Sequence, residues 1–139
     1  VKTLSKRLGR QCIVASMDIK GLDNGTHTVM VDRGTRDAKA GPADWALRAQ
    51  DLGAGEIFIN SMDHDGNRQG YALDAFKQVI DAVSIPVIAM GGVLLWDHFV
   101  EGLKSGADAV AAANIFHYTE HSTRRAKKSI EKAGIPVRR

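Results

Sequence analysis

Three carboxylates and two loops, one of them glycine-rich, carry the chemistry that this sequence can offer. Asp18 stands in Ser16-Met17-Asp18-Ile19-Lys20, and Asp63 and Asp65 stand in Asn60-Ser61-Met62-Asp63-His64-Asp65-Gly66. Each group directly follows a short apolar run. A carboxylate at the mouth of a buried strand is well placed for general acid or base work, and Asp18 and Asp65 are read in that role. Asp63 is read as a loop group that accepts backbone N–H bonds. Lys20 either orients an anionic substrate or is simply solvated. Met90-Gly91-Gly92-Val93 and Ala113-Asn114-Ile115-Phe116 follow the next two apolar runs. Gly91 and Gly92 allow a ligand close to the backbone, and Asn114 can open a short helix and donate from its amide. Two such loops after consecutive strands suit a phosphate.

Metal chemistry fits less well. Asp63-His64-Asp65-Gly66 suggests a calcium loop, but Asn67-Arg68-Gln69-Gly70 adds none of the further oxygen ligands it would need. A transition metal would want a second histidine nearby, and His98, His117 and His121 follow other elements. No metal and no cofactor are expected.

The elements that must position these residues are legible from periodicity. Four short apolar runs, residues 12–15, 57–59, 86–89 and 109–112, read as strands buried in a parallel sheet. Apolar stripes over 43–52, 73–83 and 96–104 read as helices, and a last helix over 122–133 stops at Gly134. Within these elements Phe58, Phe76, Trp96, Phe99 and Phe116 are expected in the core. Between the first strand and first helix, Asp23-Asn24-Gly25 and the alternating His27-Thr28-Val29-Met30-Val31-Asp32 read as a small β-hairpin insert. A repeat marks the units: Leu52-Gly53-Ala54-Gly55-Glu56-Ile57 and Ser105-Gly106-Ala107-Asp108-Ala109-Val110 both close a helix and enter a strand. The fold class is therefore α/β. The alternation fits either a (β/α)4 half of an eight-stranded barrel or a small open doubly wound sheet.

Composition narrows the function classes. With 139 residues and 44% hydrophobic content, the chain is a single domain with a real core. Its net charge of +3 sits at the two ends, around Lys2, Lys6, Arg7 and Arg10 and around Arg124, Arg125, Lys127, Lys128, Arg138 and Arg139. With only 6% aromatic residues and none interleaved there, these clusters read as solvated helix faces, not a nucleic-acid site. The single Cys12 excludes a disulfide framework and suits a reducing cytoplasm. No apolar run approaches the roughly 18 residues of a membrane span. The first residue is Val1 rather than Met, which fits a processed product, an unusual start or a piece of a longer protein.

Taken in order, Ser16-Met17-Asp18, Gly53-Ala54-Gly55-Glu56-Ile57, Ser61-Met62-Asp63-His64-Asp65-Gly66, Gly70-Tyr71, Ile85-Pro86-Val87-Ile88-Ala89, Gly91-Gly92, His98-Phe99, Gly106-Ala107-Asp108-Ala109 and Ile115-Phe116-His117 resemble one family. The chain is similar to the carboxy-terminal half of the cyclase subunit of imidazole glycerol phosphate synthase. The resemblance implies strands five to eight of a (β/α)8 barrel over residues 1–139, with the amino-terminal half absent. It implies a lyase of histidine biosynthesis, an amino-acid biosynthesis pathway. Such an enzyme takes ammonia from a glutaminase partner, closes the imidazole ring and releases an aminoimidazole carboxamide ribonucleotide. Asp18 matches the catalytic aspartate of the fifth strand and Asp65 an active-site aspartate after the sixth. Gly91, Gly92, Ala113 and Asn114 match one of two phosphate sites, and Asn60 and Ser61 fall in the substrate pocket. The first-strand aspartate has no counterpart. The isolated half-barrel is therefore expected to be inactive, and its exposed edges and apolar face should drive self-association.

Three residues depart from the family pattern. Asn60 stands where threonine is usual, Met90 where a small hydroxyl residue is usual, and Asn114 where serine is usual. The segment from Ala111 to Glu120 looks more like paralogues of surface-sugar gene clusters, which pass ammonia to a sugar amidotransferase. A half-barrel serving only for binding or assembly is the non-enzymatic alternative.

Overall fold

A computed structural model describes residues 1–118, 120 and 122–138. His121, Arg139 and Thr119 of the 111–120 segment lie outside the described residues. The chain opens on helix α1 (Lys2–Leu8) and a 3-10 turn at Arg10–Cys12. The strands are β1 (Val14–Gly21), β2 (His27–Val31), β3 (Arg36–Asp37), β4 (Glu56–Ser61), β5 (Val87–Met90) and β6 (Ala109–Val110). Between and after them come α2 (Pro42–Asp51), α3 (Leu73–Ala82), α4 (Trp96–Lys104), the short α5 (Asn114–Tyr118) and α6 (Ser122–Lys132).

The strands form one sheet in the order β3-β2-β1-β4-β5-β6. From β1 onward the pairing is parallel and follows chain order without reversal. A doubly wound sheet reverses the order of its parallel strands at a switch point. The parallel strands β1, β4, β5 and β6 do not reverse, and β2 and β3 join β1 as an antiparallel hairpin. Right-handed crossovers in a single direction carry the connecting helices to a single face.

Burial agrees with that topology. Parallel partners share a face, so the register separates two sets of side chains. Met17 and Ile19 of β1, Ile57 and Ile59 of β4, and Val87 and Ala89 of β5 are buried in one cluster with Ala46, Phe76, Val79, Phe99, Ala126 and Ile130 of the helices. The alternate set, Ser16 beside Phe58 beside Ile88, and Asp18 beside Asn60 beside Met90, lies on the opposite face and outside that cluster. Phe58, expected in the core, is only half-buried there. The register gives it odd parity relative to Ile57 and Ile59, a distinction that a three-residue apolar run does not reveal. The other expected core aromatics do pack inward: Phe76 and Phe99 are buried, and Trp96 and Phe116 stack on either side of Phe99. On α2 the anticipated stripe is narrower than its sequence suggests, since Leu47 and Leu52 are exposed.

The repeat noticed in the sequence is a helix stop. After α2, Ala54 N–H bonds Ala49 C=O (3.0 Å) and Gly53 N–H bonds Gln50 C=O (2.9 Å). After α4, Ala107 bonds Gly102 and Gly106 bonds Leu103 in the same pattern, as Ile135 and Gly134 do after α6. This is the Schellman closure, which needs a left-handed residue; Gly53, Gly106 and Gly134 supply it at φ 97°, 106° and 81°.

The hairpin differs in one respect from its expectation. Its turn does contain Asn24-Gly25, closed by Leu22 N–H to Thr26 C=O (2.8 Å), and its second arm is β2. The first arm is the extended end of β1 itself, with Asp18 paired to Met30. The insert is therefore continuous with the main sheet, and β3 adds a third strand to it. Asp37 closes this layer by accepting from the Thr28 hydroxyl (2.5 Å) and the Lys39 N–H (2.7 Å).

Two outcomes follow from this packing. Phe76→Ala should destabilise the fold by about 3–5 kcal/mol, the usual cost of emptying a buried phenylalanine site, whereas Phe58→Ala on the open face should cost only a small fraction of that. Urea titration of both variants measures the contrast. The Thr28 hydroxyl, then the Lys39 N–H and charge, hold Asp37 below the ordinary carboxylate value of 3.8. Its stabilising contribution is thus complete above that value and is lost as pH falls through the lower folded one. Asp37→Asn should narrow the stability difference between about pH 5 and about pH 3, read by thermal melts across that range.

Candidate functional site

The sequence-assigned residues fall into two adjoining groups at the carboxyl ends of the parallel strands. The first is the row Asp18–Asn60–Met90 on the open face of β1, β4 and β5. Asn60 Nδ2 donates to Asp18 Oδ1 at 3.0 Å, which fixes one carboxylate oxygen; among the described residues the other is uncommitted. Among the described residues, the amide's own Oδ1 is buried without a partner. It lies close to the backbone of Gly91, where a side-chain carbon would stand 3.2 Å from it. Met90 completes the row with an apolar thioether, and Phe58 and Ile88 lie one row below. Asp18 therefore sits half-buried above apolar neighbours at the strand mouth.

Ser61 does not join this row. It is the next residue after Asn60, so it points to the helix side and is buried there, 1% exposed. Assigned to the substrate pocket from its place in the motif, it contributes its backbone instead: its C=O accepts from Asp65 N–H (2.9 Å).

The second group is a narrow cleft lined by Asp65, Gly66, Arg68, Gly91, Gly92, Val93, Ala112, Ala113 and Asn114. Four residues proposed for phosphate, Gly91, Gly92, Ala113 and Asn114, thus meet in space, and Asp65 meets them. Asn114 does open the short helix α5. Arg68 is the member that the sequence reading missed. Its signal is a basic residue two positions after Gly66, in a loop that the Asp65 motif already places beside the site.

Backbone contacts hold this cleft. Gly70 N–H donates to Gly92 C=O at 2.8 Å, and a side-chain carbon on Gly92 would stand 2.1 Å from the Gly70 oxygen. His64 Nδ1 bonds the same Gly70 oxygen at 2.8 Å. A carbonyl can only accept, so Nδ1 carries the proton. Asp63 plays the structural part expected of it: its Oδ2 accepts from Gly21 N–H at 2.6 Å, tying the loop to the end of β1. His98 Nδ1 accepts from Leu94 N–H (3.2 Å). Tyr71, next to Gly70, is buried and donates from its hydroxyl to Ala111 C=O at 2.9 Å; burial pushes its ionisation well above the ordinary tyrosine value. Gly102 on α4 makes room for its ring, since a side-chain carbon there would stand 2.8 Å from it. Among the described residues, no three His, Cys, Asp or Glu side chains come together as metal ligands, and no helix is long and apolar enough to cross a membrane.

A mostly parallel α/β sheet with helices on one face, a carboxylate at its strand mouths and a glycine-lined cleft beside it has the layout of TIM-barrel-type enzymes. The chain belongs to the histidine biosynthesis protein family, whose family model matches residues 1–122. Over 138 residues, 99% of its length, it is 41% identical to imidazole glycerol phosphate synthase subunit HisF of Streptomyces coelicolor. Over the same length it is 40% identical to the subunit of that name from Streptomyces avermitilis. The chain spans about half the length of these curated relatives, 55% of each.

The cleft's dependence on backbone contact is testable. Gly92→Ala combines a left-handed backbone (φ 86°) with a clash against a fixed carbonyl. Gly25→Ala has nearly the same φ (79°) and nothing within 4 Å. The second substitution should cost about 1–2 kcal/mol, the conformational term alone. The first should cost clearly more; equal losses in chemical denaturation would refute the close-approach argument.

Proposed function

We propose that this chain is the carboxy-terminal half of a (β/α)8 barrel, strands five to eight, and belongs to the cyclase subunit of an imidazole glycerol phosphate synthase. The observation that carries the reading is Asp18, held by Asn60 on the face that the helices leave open, beside a glycine-lined cleft. The unreversed strand order and the 55% coverage of each relative support the half-barrel, since a whole barrel takes about 250 residues.

In this reading the open face becomes the barrel interior, and the amino-terminal half covers it and supplies the second catalytic aspartate. A glutaminase subunit delivers ammonia in the cytoplasm. Adding ammonia to a carbonyl and closing the ring requires protons to leave nitrogen and reach departing oxygen. Asp18, with one oxygen fixed and one free, is the group that carries them, and Asp65 assists from the cleft. The phosphate at one end of the substrate lies against Gly91, Gly92, Ala113 and Asn114. Alone, the half-barrel is inactive and self-associates through its open face.

Asn60, Met90 and Asn114 favour a second reading, in which the barrel passes ammonia to a sugar amidotransferase. The experiment is ammonia-dependent turnover of the ribulosyl aminoimidazole precursor by the full-length protein. Wild type should turn over, and Asp18→Asn should lose about 10²–10⁴-fold in kcat while keeping its circular dichroism spectrum and glutaminase binding. Full activity in Asp18→Asn would remove the catalytic assignment. A folded, glutaminase-binding wild type without turnover would favour the second reading.

A further inference from the structure

We propose that Arg68 is the residue that gives the cleft its affinity for a phosphate monoester, supplying the positive charge that the glycine loops lack. The inference rests on reading the cleft as a phosphate subsite and adds to it the group that sets its charge. Of the nine residues lining the cleft, six are glycine, alanine or valine. The three polar ones are Asp65, Arg68 and Asn114, so the balance of formal charge there depends on Asp65 and Arg68 alone.

That balance decides what binds. A phosphate dianion beside the Asp65 carboxylate alone would be repelled, and backbone N–H groups and one neutral amide offer only partial charges against it. A guanidinium reverses the sign and presents five donors in a planar fork matched to phosphate oxygens. Arg68 is uncommitted: among the described residues it makes no ion pair or hydrogen bond, and neither does the Asp65 carboxylate. An exposed arginine normally finds its place by side-chain freedom alone. Here the backbone is also specific, since Gly66, Arg68 and Gly70 are all left-handed, at φ 77°, 62° and 81°. Glycine would take the middle position without strain. The sequence instead has an arginine there, on the rim of the cleft.

Arg68→Gly separates a structural role from a binding role. It removes the guanidinium and relaxes the backbone, so its melting temperature should stay level or rise. The probe is inorganic phosphate, titrated at constant ionic strength into the ¹⁵N-labelled chain. In wild type the amide signals of Gly91, Gly92 and Asn114 should shift. The apparent Kd should rise at least about tenfold in Arg68→Gly and Arg68→Gln, the size expected for a charged hydrogen bond, with partial recovery in Arg68→Lys. Equal phosphate affinity in wild type and Arg68→Gln overturns the proposal, as do shifts confined to the basic residues of the chain ends. In the full-length protein, Arg68→Gln should raise KM for the precursor and leave kcat nearly unchanged. Turnover with unaltered KM would sink the Arg68 assignment and leave the cyclase reading intact. Phosphate binding that depends on Arg68, without any turnover in wild type, would do the reverse.

Discussion

In-register parallel pairing of β1, β4 and β5 is the constraint on which the rest of this molecule depends. Val14 lies beside Glu56 and Ile19 beside Ser61, and Ile57 beside Val87 and Asn60 beside Met90. A pleated strand alternates its faces with a period of two, so a slip of one residue would invert every side chain in it. In the observed register Ile19, Ile57, Ile59, Val87 and Ala89 face the helices together, while Asp18 and Asn60 meet on the other side. Burial of the apolar set thus fixes the polar set. The Asp18–Asn60 hydrogen bond is a consequence of packing on the face it does not occupy.

The same constraint explains the cost of the site. Asn60 directs its N–H to Asp18 and, among the described residues, leaves its own oxygen buried without a partner. Such an atom opposes folding by about 1–3 kcal/mol. Around the cleft the chain compensates with backbone contacts. Gly70 and Gly92 join the two flanking loops by a backbone hydrogen bond, and His64, Asp63 and Tyr71 each bond a main-chain atom of this region. The loops at the strand mouths then present Asp65 and Arg68 from one segment and Asn114 from another. Loop chemistry on a fixed scaffold of this kind is how parallel α/β proteins carry function.

The sequence and the structure agree most closely where a local rule acts. The α4 stripe spans the same residues in both, because Trp96, Phe99, Val100 and Leu103 repeat at helical spacing and Gly106 ends it. The start of α5 at Asn114 was legible for the same reason, whereas Asp63 was legible only as a loop group that accepts backbone N–H bonds: its partner, Gly21, lies 42 residues away. Agreement fails where the outcome depends on distant partners. Phe58 and Ile57 are equally apolar, and only the pairing with β1 and β5 decides which is buried. Ser61 and Asn60 are equally polar neighbours at one strand mouth, and parity sends them to opposite faces. The hairpin's first arm was invisible as such because β1 serves two sheet neighbours at once, parallel β4 and antiparallel β2.

By itself the sequence determined the alternation of strand and helix, the helix stops and the residue types capable of acid–base and phosphate chemistry. Each of these follows from periodicity, backbone conformation or functional groups within a few positions. Tertiary structure alone decided between a reversing and an unreversed strand order, and sorted the polar residues between faces. It also brought Arg68 into the cleft with Gly92 and Asn114. Those outcomes turn on which strands pair and in what register. That choice is made by the summed burial of side chains far apart in the chain.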